Sequence, residues 1–299
     1  MPTCRMELAD AGSPDKLVTL ILRDEPDLPI PVPIEELCER LDISAIQDLE
    51  TEGFEGGLLT DTDRSAGVIL VRSKFQPRRR FTIAHELGHF LMPMHVPDQA
   101  GKFLCKASDL LQLTLKEGDR RRRMEVEANR FASLILMPPP MLRKIMRGLR
   151  GPDLQHVPAL ARQFDVSKEA MARAYAQNHE EPVAIVVTHH GRVLRHYKNH
   201  AFPYVTSAPD KAVPAGSLYH RGPHEAGIAS DFATCIADHW IDVRRGERAP
   251  TLYEQVYPQR DGFGLLLLHL ERVDEDDEAE DSELKDSYRV VFGSSRRRR

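Results

Sequence analysis

The chain has 299 residues, of which 41% are hydrophobic and 29% charged, and its net charge of −5 gives no reason to expect broad affinity for nucleic acid. This length allows two domains, or one large domain with an appendage, and no apolar run approaches the roughly 18 residues that a membrane-spanning helix needs. The four cysteines are widely spaced without a C-x-x-C pair, which argues against a disulfide framework and against a thiolate zinc site. Because the N-terminus also lacks the pattern of a secretory signal, we expect a cytoplasmic protein.

Residues 1–150 predict a mostly helical domain with a small sheet. Four segments have the character of helices, and three short pieces between them have the character of strands. Pro33 can occupy the first turn of the second helix, and the triple proline at 138–140 ends the fourth. The predicted helices cover 14–25, 32–43, 79–92 and 123–137, and the predicted strands cover 45–49, 54–60 and 66–73.

Residues 151–181 predict a helix-turn-helix-like segment. Two short helices fit the range 156–178, with Ser167 as the N-cap of the second. The segment contains three basic and five acidic residues, whereas a phosphate-binding module should be basic. We therefore interpret it as a structural helical pair or a docking surface that does not bind DNA on its own. Three arginine clusters are expected to be solvated loops or tails, at 78–80, 120–123 and 296–299.

Residues 182–299 predict a β-rich α/β domain. The segment 182–197 alternates around "HHGR" like a β-hairpin, and Trp240 is expected in the core of a late helix at 233–243. The histidines of this region lack convincing ligand spacing, so we interpret the domain as a regulatory or sensor-like module without an identified ligand. Two further strands are predicted at 263–273 and 287–293, with a solvated or disordered acidic segment at 274–286.

The stretch "HELGH" at 85–89 has the form H-E-x-x-H. On a helix, His85 and His89 lie one turn apart on one face and can bind one metal ion. Two imidazoles leave room for a third protein ligand and a water, as in catalytic zinc sites, and Glu86 would take the proton of that water. The alternative is a surface helix whose histidines bind nothing. It fits poorly because the flanking residues are apolar and because Gly88 indicates the close approach of another backbone.

The third metal ligand is expected from the helix at 123–137, which offers Glu125 and Glu127. These two side chains point about 200° apart on a helix, so only one can face the metal. Glu125 shares a face with small residues that can pack at Gly88, whereas Glu127 shares a face with arginines and is expected to be their exposed partner. Glu125 is therefore the expected ligand, and Asn129, one turn further on, can hydrogen-bond a ligating histidine.

Two blocks together resemble the ImmA/IrrE family of bacterial metallopeptidases: "RFTIAHELGHF" at 80–90 and "EVEANRFASLILMP" at 125–138. Members of this family carry HExxH followed by E-x-x-A-N-x-F-A-x-x-L-L-M-P. The resemblance covers roughly residues 15–178. It implies a zincin-like α+β peptidase domain, with His85, His89 and Glu125 as zinc ligands and Glu86 as the base.

The resemblance also implies properties that the residues themselves do not show. IrrE-type members have a helix-turn-helix-like segment after the peptidase domain and a further α/β domain described as GAF-like. Their substrate is a protein, typically a helix-turn-helix transcriptional repressor, whose cleavage induces a stress response or the genes of a mobile element. The expected cofactor is Zn²⁺, and a set of two histidines and a glutamate also accepts Mn²⁺.

The chain departs from the family pattern in two respects. Many members read HELGHxxLH, whereas the next histidine here is His95. The first 174 residues contain no tyrosine, so an oxyanion stabiliser in this domain would have to be His95 or an arginine. The strand at 66–73 is expected to be either an edge strand that pairs with substrate or an interior strand. The alternative function is a DNA-binding or ligand-sensing transcriptional regulator without proteolysis, and no oligomeric state is predicted.

Overall fold

The structure is a computed structural model that describes residues 5–50, 52–61, 63–72, 76–96, 101–111, 119–243 and 249–271. The chain folds as two compact units, Met1–His179 and Glu180–Arg299. Among the described residues, the first unit contains eight α-helices and a four-stranded sheet, and the second contains a five-stranded sheet. The predicted α+β fold is therefore confirmed. None of the helices in the described ranges combines the length and the apolar character that crossing a membrane requires.

Three of the helices in the first unit begin at a capping side chain. Their bounds are α1 Arg5–Leu8, α2 Pro14–Asp24, α3 Ile34–Arg40, α4 Gln76–Leu91, α5 Arg120–Leu136, α6 Pro139–Met146, α7 His156–Phe164 and α8 Lys168–Asn178. Ser13 caps α2 by accepting a hydrogen bond from the Lys16 N–H at 3.3 Å. Asp119 caps α5 in the same way, so residues 120–123 form the first turn of a helix and the expectation of a loop there is wrong.

The first sheet has four strands, two of which are edge strands. It contains β1 (Ile43–Asp48), β2 (Gly56–Thr60), β3 (Gly67–Val71) and β4 (Lys102–Cys105), in the order β1-β3-β2-β4. The β1–β3 pair is parallel and the other two pairs are antiparallel. Because β3 lies between β1 and β2, the strand predicted at 66–73 is an interior strand. The edge strands are β1 and β4; β4 was not predicted, and no further strand pairs with it in the described part of the chain.

Helix α4 packs between α5 and the sheet. A Cβ atom at Gly88 would lie 3.1 Å from the Phe131 side chain and 3.4 Å from the Cα of Ala128, which confirms the predicted close approach of a second backbone. The arginines at 78–80 lie in the first turns of α4 and not in a solvated loop, because the helix begins at Gln76. One of them, Arg80, donates to the carbonyl of Val32 at 2.7 Å.

The helix pair α7–α8 belongs to the first compact unit. The chain turns between the two helices at Asp165, whose φ of 51° is left-handed. Ser167 then caps α8 by accepting a hydrogen bond from the Ala170 N–H at 3.1 Å, as predicted. Both helices bury apolar side chains, among them Phe164 and Met171.

The second unit is built on an antiparallel sheet. Its strands are β5 Val183–His189, β6 Arg192–Lys198, β7 Ala233–Cys235, β8 Leu252–Pro258 and β9 Phe263–Leu270, in the order β6-β5-β9-β8-β7. His190 and Gly191, both with positive φ, form the two-residue turn between β5 and β6. The predicted hairpin around "HHGR" is therefore confirmed, and β9 confirms the strand predicted at 263–273 over most of its length.

The segment around Trp240 is buried but not α-helical. Its indole is fully buried in the core of the second unit. The helix predicted at 233–243 is wrong, because the segment forms β7 and one 3-10 turn. The reason is long-range pairing: the Trp240 carbonyl accepts from the N–H of Thr206, and Ile241 forms a β-bridge with Val205. The segments predicted at 274–286, 287–293 and 296–299 lie outside the described residues.

Arg64 caps the C-terminal end of α4 with its side chain. Its guanidinium donates to the carbonyls of His89, Phe90, Met92 and His95. The last carbonyls of a helix have no partner within the helix, so these bonds satisfy groups that are otherwise unpaired. We expect Arg64→Met to lower the free energy of unfolding of the first unit by about 2–4 kcal/mol, because bonds to a charged donor are lost. Urea unfolding followed by far-ultraviolet circular dichroism measures this change.

The matched control for this prediction is Arg23→Met. The Arg23 side chain is exposed and pairs only with its neighbour Asp24 among the described residues, so we expect no measurable shift of the unfolding midpoint. Equal midpoints for both variants would show that the Arg64 bonds do not stabilise the fold.

Candidate metal centre

His85 and His89 lie on the buried face of α4, one turn apart. Both side chains are fully buried. Their Nε2 atoms are 3.1 Å apart, and the two rings meet edge to face with a centroid distance of 4.7 Å. The structure therefore brings both histidines of the HELGH motif to one point.

Glu125 reaches the same point from α5. Its Oε2 lies 3.2 Å from the Nε2 of His85 and 3.6 Å from the Nε2 of His89. Burial alone would raise the pKa of Glu125, but the two imidazoles hold it below its usual range. An ionised carboxylate oxygen therefore faces the two ring nitrogens.

Asn129 holds the ring of His85 in place. Its side-chain amide donates to the carbonyl of Asp109 at 2.8 Å, which fixes the orientation of the amide. Its Oδ1 then accepts a hydrogen bond from the Nδ1–H of His85 at 2.9 Å. With the proton on Nδ1, His85 presents an unprotonated Nε2 toward Glu125.

His89 has a comparable chain of partners that the sequence did not reveal. Its Nδ1 lies 3.0 Å from the Nδ1 of His95, and the Nε2 of His95 lies 3.0 Å from the Oε2 of Glu127. The arrangement is satisfied when His89 donates to His95 and His95 donates to Glu127, which again leaves the Nε2 of His89 unprotonated. Glu127 is thus a partner of His95, and the expectation that it pairs with arginines is replaced by this contact. Because both nitrogens of His95 are engaged here, it is also a poor candidate for the oxyanion stabiliser.

Three atoms of metal-ligand type consequently converge: the Nε2 atoms of His85 and His89 and the Oε2 of Glu125. A proton or a metal ion between these atoms offsets the repulsion of their lone pairs. Ligand atoms on a tetrahedral zinc ion, at bond lengths of 2.0–2.1 Å, are about 3.3 Å apart. The three observed separations of 3.1, 3.2 and 3.6 Å bracket that value, so these residues fit a zinc ion.

Glu86 lies beside these three groups and beside the Cys105 thiol. Its side chain is fully buried, and among the described residues no nitrogen or oxygen donor bonds its carboxylate. Burial raises the pKa of Glu86 to about 7. The carboxylate of Glu86 fits here because residue 56 on β2 is a glycine. A Cβ atom at Gly56 would lie only 2.6 Å from the Oε1 of Glu86. A buried carboxyl group of this kind is suited to exchanging a proton with a bound molecule.

Cys105, the last residue of β4, is a fourth group of metal-ligand type. Its Sγ lies 3.8 Å from the Nε2 of His89. The candidate ligand atoms of His85, His89, Cys105 and Glu125 all lie within 4.8 Å of one another. This cysteine was not predicted as a ligand, because β4 was not predicted and Cys105 has no second cysteine nearby in the chain.

A cleft of about 230 Å³ opens beside this group. It lies between β4 and the beginning of α5. Glu125 and Cys105 line it, so these two ligand-type side chains can be approached from the edge of the sheet. Its other lining residues include Phe54, Leu104, Lys106, Arg121 and Met124.

Comparison with known proteins agrees with this geometry. Residues 38–175 match the family model of the IrrE N-terminal-like domain. The radiation response metalloprotease IrrE of Deinococcus deserti is 29% identical over 205 residues, which cover 64% of this chain and 68% of that protein. The protein of the same name from Deinococcus radiodurans is 32% identical over 128 residues, which cover 42% of this chain and 34% of that protein. Residues 38–175 are therefore similar to the IrrE N-terminal-like domain, and the chain resembles two radiation response metalloproteases.

Proposed function

We propose that the chain is a zinc-dependent endopeptidase in which His85, His89 and Glu125 hold the metal. The observation that supports this most directly is the convergence of two ring nitrogens and a carboxylate oxygen beside the buried carboxyl group of Glu86. Two histidines and a carboxylate form a donor set of catalytic zinc sites. Mn²⁺ can also occupy such a set. In this proposal Asn129 fixes the tautomer and the orientation of His85.

The protein's own residues then have distinct tasks. When bound, the zinc ion lowers the pKa of a coordinated water and polarises the carbonyl group of the scissile peptide bond. Glu86 would accept a proton from a water molecule beside it and would donate a proton to the leaving amine nitrogen. Asn129 and His95 keep the two imidazoles from rotating, so the ligand nitrogens stay where the metal needs them.

The substrate would bind as an extended strand along the outer edge of β4. The N–H of Thr60 donates to the carbonyl of Gly101, and the alternation of an antiparallel ladder then directs the main-chain groups of Lys102 and Leu104 away from β2. Main-chain hydrogen bonds to such an edge give affinity without demanding one sequence, and neighbouring pockets select side chains. A peptide paired with this edge would lie next to the metal ligands, because β4 ends at Cys105, which is close to them.

The substrate proposed for this site is a helix-turn-helix transcriptional repressor in the cytoplasm, whose cleavage induces a stress response or the genes of a mobile element. Similarity to the IrrE N-terminal-like domain supports this, as do relatives described as radiation response metalloproteases. The domains proposed are the peptidase at 1–150, the helix-turn-helix-like segment at 151–181 and a regulatory or sensor-like domain at 182–299. The second unit would then control the first.

The test is incubation of the zinc-loaded full-length protein with purified helix-turn-helix repressors from the same organism. We expect one repressor to be cut at a defined bond, identified by mass spectrometry of the fragments. A zinc chelator should stop the cleavage and added zinc should restore it. Absence of cleavage of every repressor, by protein whose bound zinc has been verified, would exclude this substrate class. Cleavage that persists in the chelator would contradict the metal dependence.

His95→Ala is expected to weaken zinc binding by about 10- to 100-fold, the usual effect of losing a hydrogen-bond partner of a metal ligand. The substitution removes the acceptor for the Nδ1–H of His89 and leaves that ring free to rotate. A competition titration against a fluorescent zinc chelator measures the change. His200→Ala, an exposed histidine of the second unit, is the matched control and should bind zinc as the wild type does. Unchanged affinity in His95→Ala would show that this contact does not support the metal site.

A further inference from the structure

Cys105 lies close to the position that stays open to water or substrate in an ordinary catalytic zinc site. Such sites have three protein ligands and leave the fourth position to water or substrate, whereas structural zinc sites have four protein ligands. The Sγ of Cys105 is 3.8 Å from the Nε2 of His89. That distance is close to the roughly 3.6 Å that separates a sulfur and a nitrogen bound to one tetrahedral zinc ion.

We propose that Cys105 is a fourth metal ligand, which closes the zinc site in the resting protein. The inference rests on the proposed zinc peptidase function and adds a ligand that the HExxH motif does not contain. Four groups support it together, since the ligand-type atoms of His85, His89, Cys105 and Glu125 lie within 4.8 Å of one another and all four side chains are buried.

Glu86 provides a second observation at the same place. Its carboxylate is fully buried beside the group and next to the Cys105 thiol, and among the described residues no nitrogen or oxygen donor bonds it. A buried acceptor of this kind needs a polar partner, which a water molecule at the metal would supply. The site therefore has two states: a closed state with the Cys105 sulfur on the metal, and an open state in which water takes that position and meets Glu86.

The chemistry of ligation is a simple exchange. The S–H bond of Cys105 breaks, a metal–sulfur bond forms, and one proton is released to solvent. Thiolate sulfur is a soft ligand that favours Zn²⁺ over Mn²⁺, which prefers oxygen ligands. Cys105 would thus also decide which of the two metals this chain selects.

The position of Cys105 links the closed state to substrate binding. Cys105 is the last residue of β4, the edge strand along which the peptide is proposed to pair. A peptide that forms main-chain hydrogen bonds with β4 can shift the backbone of this strand and, with it, the sulfur of Cys105. Substrate binding and release of the sulfur from the metal are therefore coupled through one strand.

The test uses Co²⁺ as a spectroscopic substitute for zinc in the metal-depleted full-length protein. A cobalt–thiolate bond gives a charge-transfer band in the near ultraviolet, which nitrogen and oxygen ligands do not give. We expect this band in the wild type and in Cys235→Ser, a half-buried cysteine of the second unit, but not in Cys105→Ser. We also expect Cys105→Ser to bind zinc at least about 10-fold more weakly, and to lose more affinity for Zn²⁺ than for Mn²⁺.

A second measurement needs no variant. X-ray absorption of the zinc-loaded wild type should show one sulfur neighbour at about 2.3 Å. Bound metal without a cobalt–thiolate band and without a sulfur neighbour would overturn the role of Cys105 while leaving the proposed peptidase intact. A wild type that binds neither Co²⁺ nor Zn²⁺ would overturn both.

Discussion

Glu86→Gln is expected to reduce the peptidase activity by about 10²- to 10⁴-fold, the contribution usual for a general acid–base group. The reason is that Glu86 is the group placed to accept a proton beside the metal ligands, and an amide cannot accept it. The bound metal should be unchanged, because glutamine has nearly the same shape and the carboxylate is not among the three proposed ligands. Measurements of kcat/KM on a peptide that spans the cleaved bond, together with elemental analysis, give both quantities.

The matched control for this prediction is Glu39→Gln. Glu39 lies on the exposed side of α3, so the same chemical change there should leave activity and metal content as in the wild type. If Glu86→Gln kept most of its activity, another group would have to move the proton. If it instead lost its metal, Glu86 would be a ligand, and the assignment of the base would fail.

The helix that contains His85 and His89 was predictable because the features that identify it lie close together in the sequence. The spacing of His85 and His89 puts them one turn apart on any helix, and the apolar residues around them indicate burial. The angular argument that favours Glu125 over Glu127 also needs only helix geometry. The structure places Glu125 beside the histidines, with Glu127 bonded to His95.

The groups around the ligands were not predictable in the same way. His95 reaches His89 only because the chain turns back after α4, where Arg64 binds the carbonyls at the end of that helix. Cys105 lies at the end of β4. The position of this strand depends on its pairing with β2, which is far away in the sequence. A single cysteine and a single histidine carry no spacing pattern, so their roles become visible only with the three-dimensional contacts.

One open alternative and one correction in the fold have the same physical origin. The apolar pattern at 66–73 identifies a buried strand, but the parallel partner β1 is what makes β3 an interior strand. Around Trp240 the apolar spacing fits a helix as well as it fits the observed bridge to Val205. In both cases the local pattern reports burial correctly, while the partner that decides the structure lies in a distant part of the chain.

Glu125→Gln is expected to remove most of the bound zinc from the purified protein. The carboxylate is the only negatively charged member of the three proposed ligands, and its replacement leaves a neutral amide beside two imidazoles. The loss of affinity should exceed the roughly 10- to 100-fold that follows from removing an outer hydrogen-bond partner. Elemental analysis of wild type and variant, purified in parallel, measures the metal content, and we expect about one zinc ion per wild-type chain.

Glu127→Gln is the matched control, because it makes the same change two residues further along α5. Glu127 bonds His95 and lies farther from the three ligand atoms, so this variant should retain zinc when Glu125→Gln loses it. The reverse result would move the third ligand to Glu127. Zinc retained in both variants would leave Cys105 with the two histidines as the ligand set, and Glu125→Gln combined with Cys105→Ser would then have to lose the metal. A wild type that holds no metal even after zinc is supplied would exclude the proposed zinc chemistry altogether.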